Sequence, residues 1–76
     1  MRNIMRKTYT MEDLDCANCA AKMEAAIKKI DGVREASVSF MTQKLIIEAD
    51  EERFDEIMKQ AQKAVSRVDR DCSILL

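Results

Sequence analysis

Proline and histidine are absent from this 76-residue chain, glycine occurs once and cysteine only three times. Each scarcity excludes something. Without histidine, three cysteines cannot close a structural zinc centre, which takes four Cys or His ligands. Three cysteines, two of them too close together to staple a long loop, also fall short of the dense, even framework of a small secreted domain, so reduced thiols are expected. Neither sign of charge dominates: 13 basic residues against 14 acidic ones leave a net of -1, and no basic field exists for nucleic acid or an anionic membrane. No apolar run approaches the roughly 20 residues of a membrane span, and none of signal-peptide length follows the basic start MRNIMRKTYT. The expectation is a soluble, cytosolic chain that inserts into no membrane and binds no nucleic acid.

What is present is 47% apolar content in a strongly periodic pattern, enough for a single small domain over residues 1–76. In Arg2 to Met11, the residues Met5, Tyr9 and Met11 alternate with Arg6, Thr8 and Thr10, the period of a half-buried strand. From Ala17 to Ile30 the period changes: Ala20, Met23, Ile27 and Ile30 recur at spacings of three and four, which makes an amphipathic helix. Asp31-Gly32 ends it, the lone glycine being suited to the left-handed conformation after a helix. Val33 to Phe40 reads as a second strand with Ala36, Val38 and Phe40 on one side, Met41 to Lys44 as a hairpin connection, and Leu45 to Ala49 as a third strand. Asp50 is expected to cap a second helix whose buried stripe is Phe54, Ile57, Met58, Ala61, Val65 and Val68, with Glu51 and Glu52 at the positive end of its dipole. The polar turn DRD then leads into CSILL, a short final strand.

This order predicts a ferredoxin-like βαββαβ fold, two helices on one face of a four-stranded antiparallel sheet. In that topology the exit of the first strand, the middle hairpin and the start of the fourth strand share one end of the sheet. Cys16, Cys19 and Cys72 can therefore meet at one edge.

Cys16 and Cys19 stand in DCANCA, where a strand gives way to a helix. A helix start favours thiolate over thiol, and the thiolate is the form that binds soft metal. Two intervening residues let both sulfurs face one ion from a loop and a first helical turn. Redox exchange is the competing chemistry, with Cys16 attacking a disulfide and Cys19 resolving it. Thioredoxin-like sites of that kind carry a cis-proline opposite the motif, which a chain without proline cannot supply. Small apolar filling is the remaining role for a cysteine, and suits Cys72 better than a pair at a loop tip.

The surrounding residues carry a resemblance. The stretch MEDLDCANCAAKMEAAIKKIDGVREASVSFMTQKLIIE resembles the heavy-metal-associated domain of copper chaperones and of the N-termini of metal-exporting P-type ATPases. It does so in the apolar Leu14 before the loop, the Cys-x-x-C, the Gly32-Val33 helix end and the Val-Ser-Phe of the second strand. The resemblance implies a ferredoxin-like domain that takes one metal ion on an exposed loop and passes it to a partner by ligand exchange. Asp13 departs from the pattern, since the family usually has glycine there; aspartate tolerates unusual backbone conformations better than most residues.

Asp15 bears on the choice of metal. Copper-handling members commonly have threonine before the first cysteine, whereas zinc, cadmium and lead members commonly have aspartate. Monovalent copper is satisfied by two thiolates in near-linear geometry, while a divalent ion that prefers four ligands gains from a carboxylate oxygen and from its added charge. Cys72, at the start of the fourth strand, is a further candidate ligand for a larger soft ion; Met11 and Met41 are better explained as apolar filler.

The expected metal set is thus Cys16, Cys19, Asp15 and Cys72 around one zinc, cadmium or lead ion, with copper(I) as the alternative. The expected role is a regulatory or delivery module of a metal-exporting P-type ATPase, monomeric when isolated and ending within a strand as an excised domain would. Such a module has no ATP-hydrolysing machinery of its own: the chain shows no phosphorylatable aspartate motif and no phosphate loop. A free-standing copper chaperone is the second reading and a small thiol oxidoreductase the third.

Overall fold

The computed structural model describes residues 3–14 and 16–76. Its elements run β1 (Ile4–Glu12), α1 (Ala17–Lys28), β2 (Val33–Ser39), β3 (Lys44–Asp50), a 3-10 turn (Glu51–Arg53), α2 (Phe54–Val68) and β4 (Ser73–Ile74). The strands form one sheet in the order β2-β3-β1-β4, every neighbouring pair antiparallel. This is the expected ferredoxin-like arrangement.

Both helices bury their apolar stripes against one face of the sheet. Ala20, Met23 and Ile27 of α1 and Phe54, Ile57, Ala61 and Val65 of α2 pack on Met11, Ala36, Leu45, Ile47 and Ala49. Removing that apolar surface from water is the main force holding so small a domain together. On the other side of β1, Arg6, Thr8 and Thr10 are exposed. The predicted alternation in β1 is thus the observed one, and its period of two follows from the pleat.

Gly32 ends the helix–strand connection with φ 98°, a left-handed value. A Cβ there would also lie 2.8 Å from Ile57 Cδ1. Both the backbone and the packing of α2 therefore call for glycine.

Several boundaries differ from the sequence expectation, each for a local reason. β1 continues to Glu12, because Glu12 and Met11 pair with Ser73 and Ile74; Arg2, where the strand was expected to begin, lies outside the described residues. α1 closes at Lys28, the Lys29 N–H donating to the Ala26 and Ile27 carbonyls, and Ile30 reaches the core from the following turn. Phe40 is 40% exposed rather than inward: Ser39 pairs with Lys44, which places residues 40–43 in the hairpin turn and takes Phe40 out of the pleat. Asp50 does not cap α2. It is the last residue of β3, paired with Ile4, its N–H donates to the Gly32 carbonyl at 3.0 Å, and its side chain makes no capping hydrogen bond. Strand pairing holds it in the sheet, and the 3-10 turn intervenes before α2 begins.

The final strand is shorter than CSILL. The Cys72 N–H donates to the Asp69 carbonyl at 3.3 Å and so belongs to the turn before β4. Gln62 of α2 secures β4 from above: its Nε2 donates to the Ile74 carbonyl and its Oε1 accepts from the Ile74 N–H, each at 2.8 Å. Among the described residues, no helix is long and apolar enough to cross a membrane.

Candidate metal centre

β1 hands the chain to a short loop before α1, and the loop is built from constraints at both ends. Asp13 has φ 58°, in the left-handed region, at the position where the resembling family has glycine. Leu14 then turns inward, only 1% exposed, and joins the hydrophobic core. Its backbone is gripped by the β2–β3 hairpin. The Leu14 N–H donates to Gln43 Oε1 at 3.1 Å, and Gln43 Nε2 donates to the Leu14 carbonyl. The middle hairpin and the loop therefore lie at one end of the sheet, as the topology requires.

At the other end of the loop, Cys16 is the N-cap of α1. It is extended (φ -128°, ψ 121°), and its Sγ accepts the Cys19 N–H at 3.4 Å. The Cys16 carbonyl accepts the first helical hydrogen bond, from Ala20 N–H at 3.0 Å. Cys19 occupies the third helical position. N-cap and third position are the pair that face each other in a capping box, so a Cys-x-x-C in this register turns both sulfurs to the same side of the helix start. Both are partly exposed, and Ala17 and Asn18 between them are exposed. A partner can reach the pair.

Charge around the pair is uneven. No acidic residue stands in the first turn of α1, leaving its amides and dipole to favour anionic sulfur. Even so, the Cys19 thiol is pushed above its ordinary value, first by its side-chain hydrogen bond with Cys16, then by burial and by the negative charges of Cys16 and Asp69, with Lys22 pulling the other way. The preference for thiolate expected from the helix start is thus outweighed at Cys19, because two sulfurs this close share a proton more readily than both give it up.

An ion that binds the pair must displace that proton. Metal affinity is expected to weaken progressively as pH falls below the raised value of the Cys19 thiol and to strengthen as pH rises toward it, which a chelator competition titration across pH would follow.

The remaining sequence candidates are placed as follows. Cys72 is 1% exposed and part of the core cluster, one residue before β4. Asp15 lies outside the described residues. Among the described residues, no three Cys, Asp or Glu side chains stand close enough together to hold one ion, so the structure does not gather Cys72 with Cys16 and Cys19. Two residues that sequence patterning missed bear on the loop and the pair: Gln43, which holds the Leu14 backbone, and Asp69, whose charge is felt at Cys19 and whose Oδ1 accepts the Asp71 N–H at 3.0 Å. No periodicity or motif could have singled them out.

Two sulfurs on an exposed helix start can hold a soft or borderline ion and release it to an attacking thiolate. A sequence profile of the heavy-metal-associated domain matches residues 8–70, from mid-β1 through the turn after α2. The chain belongs to the heavy-metal-associated domain family. Among curated proteins it is 36% identical over 59 residues to a zinc/cadmium/lead-transporting P-type ATPase of Escherichia coli, an alignment covering 78% of this chain and 8% of that protein. It is 30% identical over 66 residues to a cadmium, zinc and cobalt-transporting ATPase of Bacillus subtilis, covering 87% and 9%. The chain thus spans under a tenth of the length of these relatives. Among solved structures, a putative copper-ion-binding protein from Bacillus anthracis superposes with TM-score 0.78 at 15% identity, covering 99% of this chain and 100% of that one; at that identity the likeness concerns the fold. This heavy-metal-associated domain is a heavy-metal-binding module related to the metal-binding parts of P-type ATPases.

Proposed function

We propose that this domain binds one zinc, cadmium or lead ion through Cys16, Cys19 and Asp15, and serves as the cytoplasmic regulatory or delivery module of a P-type ATPase that exports those metals. The observation that carries the proposal is the N-cap and third-position pairing of Cys16 and Cys19 on an exposed helix start. The metal ion is cargo. It is held tightly enough to be selected and openly enough to be surrendered to a partner's thiolates through shared ligands.

Asp15 supports the choice of metal on chemical grounds. A divalent ion between two thiolates still seeks oxygen or further sulfur ligands, and a carboxylate directly before Cys16 supplies one together with a negative charge. Relatives named for zinc, cadmium and lead transport favour the same choice. Cys72 enters as a further ligand for a larger soft ion such as cadmium or lead. Because its side chain is sealed in the core, that role demands a shift at the start of β4. The isolated domain is proposed to act as a monomer.

Titrating the reduced protein with zinc, cadmium and copper(I) tests the selectivity. Asp15→Ala and Asp15→Thr are expected to weaken zinc and cadmium binding about 10-fold or more, the scale on which ligand surroundings tune metal affinity, while copper(I) binding persists. Equal tolerance by all three metals would sink the divalent reading in favour of copper(I) delivery. In the same titration, unchanged cadmium affinity and unchanged metal–sulfur absorption in Cys72→Ser would remove Cys72 from the ligand set.

A further inference from the structure

We infer that Gln43 is a positioning residue for the metal loop: a clamp that reaches from the β2–β3 hairpin, grips the backbone of Leu14 and thereby sets where Cys16 presents its sulfur. The inference rests on the metal-binding role proposed above and adds a residue outside the Cys-x-x-C to it.

Every hydrogen-bonding group of the Gln43 side chain is used. Its Oε1 accepts from the Leu14 N–H at 3.1 Å; its Nε2 donates to the Leu14 carbonyl and, at 3.1 Å, to the Phe40 carbonyl. Its main-chain carbonyl accepts the Met11 N–H at 2.8 Å. One residue of the hairpin thus binds both β1, at Met11, and the loop that follows it, at Leu14 29 positions away. Among the described residues, the Leu14 backbone hydrogen-bonds to Gln43 alone.

The grip covers the peptide groups on both sides of Leu14. Peptide groups are planar, so fixing the N–H of one and the carbonyl of the next fixes the backbone direction with which the chain enters the metal loop. The Leu14 side chain is already locked in the core and Cys16 is already locked into the helix start. Leu14 and Cys16 are thus both placed before the ion binds, which lowers the ordering that binding requires.

The backbone of Gln43 argues that its side chain is what matters. Gln43 has φ 58°, the left-handed region in which glycine or asparagine is the ordinary choice for a turn. A turn selected only to join β2 to β3 would favour one of those. Strain accepted for the sake of a side chain marks a position with a task. Asparagine, one methylene shorter, falls about 1.5 Å short of Leu14, and glycine makes no contact at all.

This difference supplies the test. Gln43→Asn and Gln43→Gly keep or ease the turn and break the clamp. Both variants are expected to melt within a few degrees of the parent, while the Leu14 amide exchanges at least about 10-fold faster and zinc and cadmium bind about 10-fold more weakly, the lower end of what outer partners of metal ligands are worth. The cadmium NMR resonance of the loaded variants should broaden or shift, a change that a purely structural hairpin residue would not cause. Affinity within about two-fold of the parent, together with an unchanged cadmium resonance, would overturn the clamp and leave the metal-binding role standing. Failure of the parent protein itself to bind zinc, cadmium or copper(I) would overturn that role and the inference with it.

Discussion

A Cys16→Ser, Cys19→Ser variant is expected to keep its fold and lose soft-metal binding, with affinity for cadmium lowered far beyond the roughly 10–100-fold that outer partners of a metal site are worth. The two halves of that result have separate causes. Serine is among the best N-cap residues, so Ser at position 16 can accept the helix amide that Cys16 now holds at 3.4 Å, and α1 should start where it does in the parent. Serine oxygen is a hard and weakly acidic donor, however, and no hydroxyl replaces a thiolate toward cadmium or copper(I). Cys19 packs against the core only at its margin, which limits the packing cost. Circular dichroism with a chelator competition titration separates fold from affinity. A parent-like cadmium affinity in the double variant would show that the ion is held elsewhere.

Leu14→Ala is expected to cost about 2–5 kcal/mol, the range for truncating a fully buried leucine. For a chain of this length that is a large share of the total, since stability runs at about 0.05–0.15 kcal/mol per residue. Leu14 is 1% exposed and sits immediately before the metal loop, so its loss both opens the core and releases the loop's first anchor. Metal should restore part of the loss. An ion that binds only the folded chain adds about 2.7 kcal/mol at 100 times its dissociation constant, and thermal melts of Leu14→Ala with and without cadmium would show this as a raised midpoint. A midpoint equal to the parent's in the absence of metal would mean that Leu14 contributes nothing to the core.

The two results bear on opposite properties of one loop. Cys16 and Cys19 are partly exposed, where substitution is expected to be cheap for folding and, on the proposed role, decisive for binding. Leu14 lies inside, where substitution is costly for folding and acts on binding through position. The proposed hand-over of an ion to a partner needs accessible sulfurs on a fixed base, and the residues from Leu14 to Cys19 offer both within six positions of chain.

Much of this was legible before any coordinates. Alternation in β1 and the three-and-four spacing of Ala20, Met23 and Ile27 report the pleat and the helical turn directly, because burial on one face imposes the period of the element on the sequence. Gly32 was readable for the same kind of reason, a left-handed backbone that one residue type meets without strain. The Cys-x-x-C was readable because an N-cap and a third helical position are always three residues apart. Boundaries were less so. Asp50 has the chemistry of a helix cap, yet pairing with Ile4 keeps it in the sheet; Phe40 has the chemistry of a core residue, yet the register of β2 against β3 puts it in the turn. In both, a partner distant in sequence overrode a local preference.

By itself, then, the sequence determined the family, the fold class and the pair of sulfurs, since each of these is written in residues near one another along the chain. Only the tertiary structure decided what stands around that pair. It buried Cys72 in the core, set the charge of Asp69 against Cys19, and closed Gln43 on Leu14. Hydrogen bonds and charges between segments so far apart leave no period and no motif behind them, because Gln43 and Asp69 by themselves look like ordinary polar residues between elements.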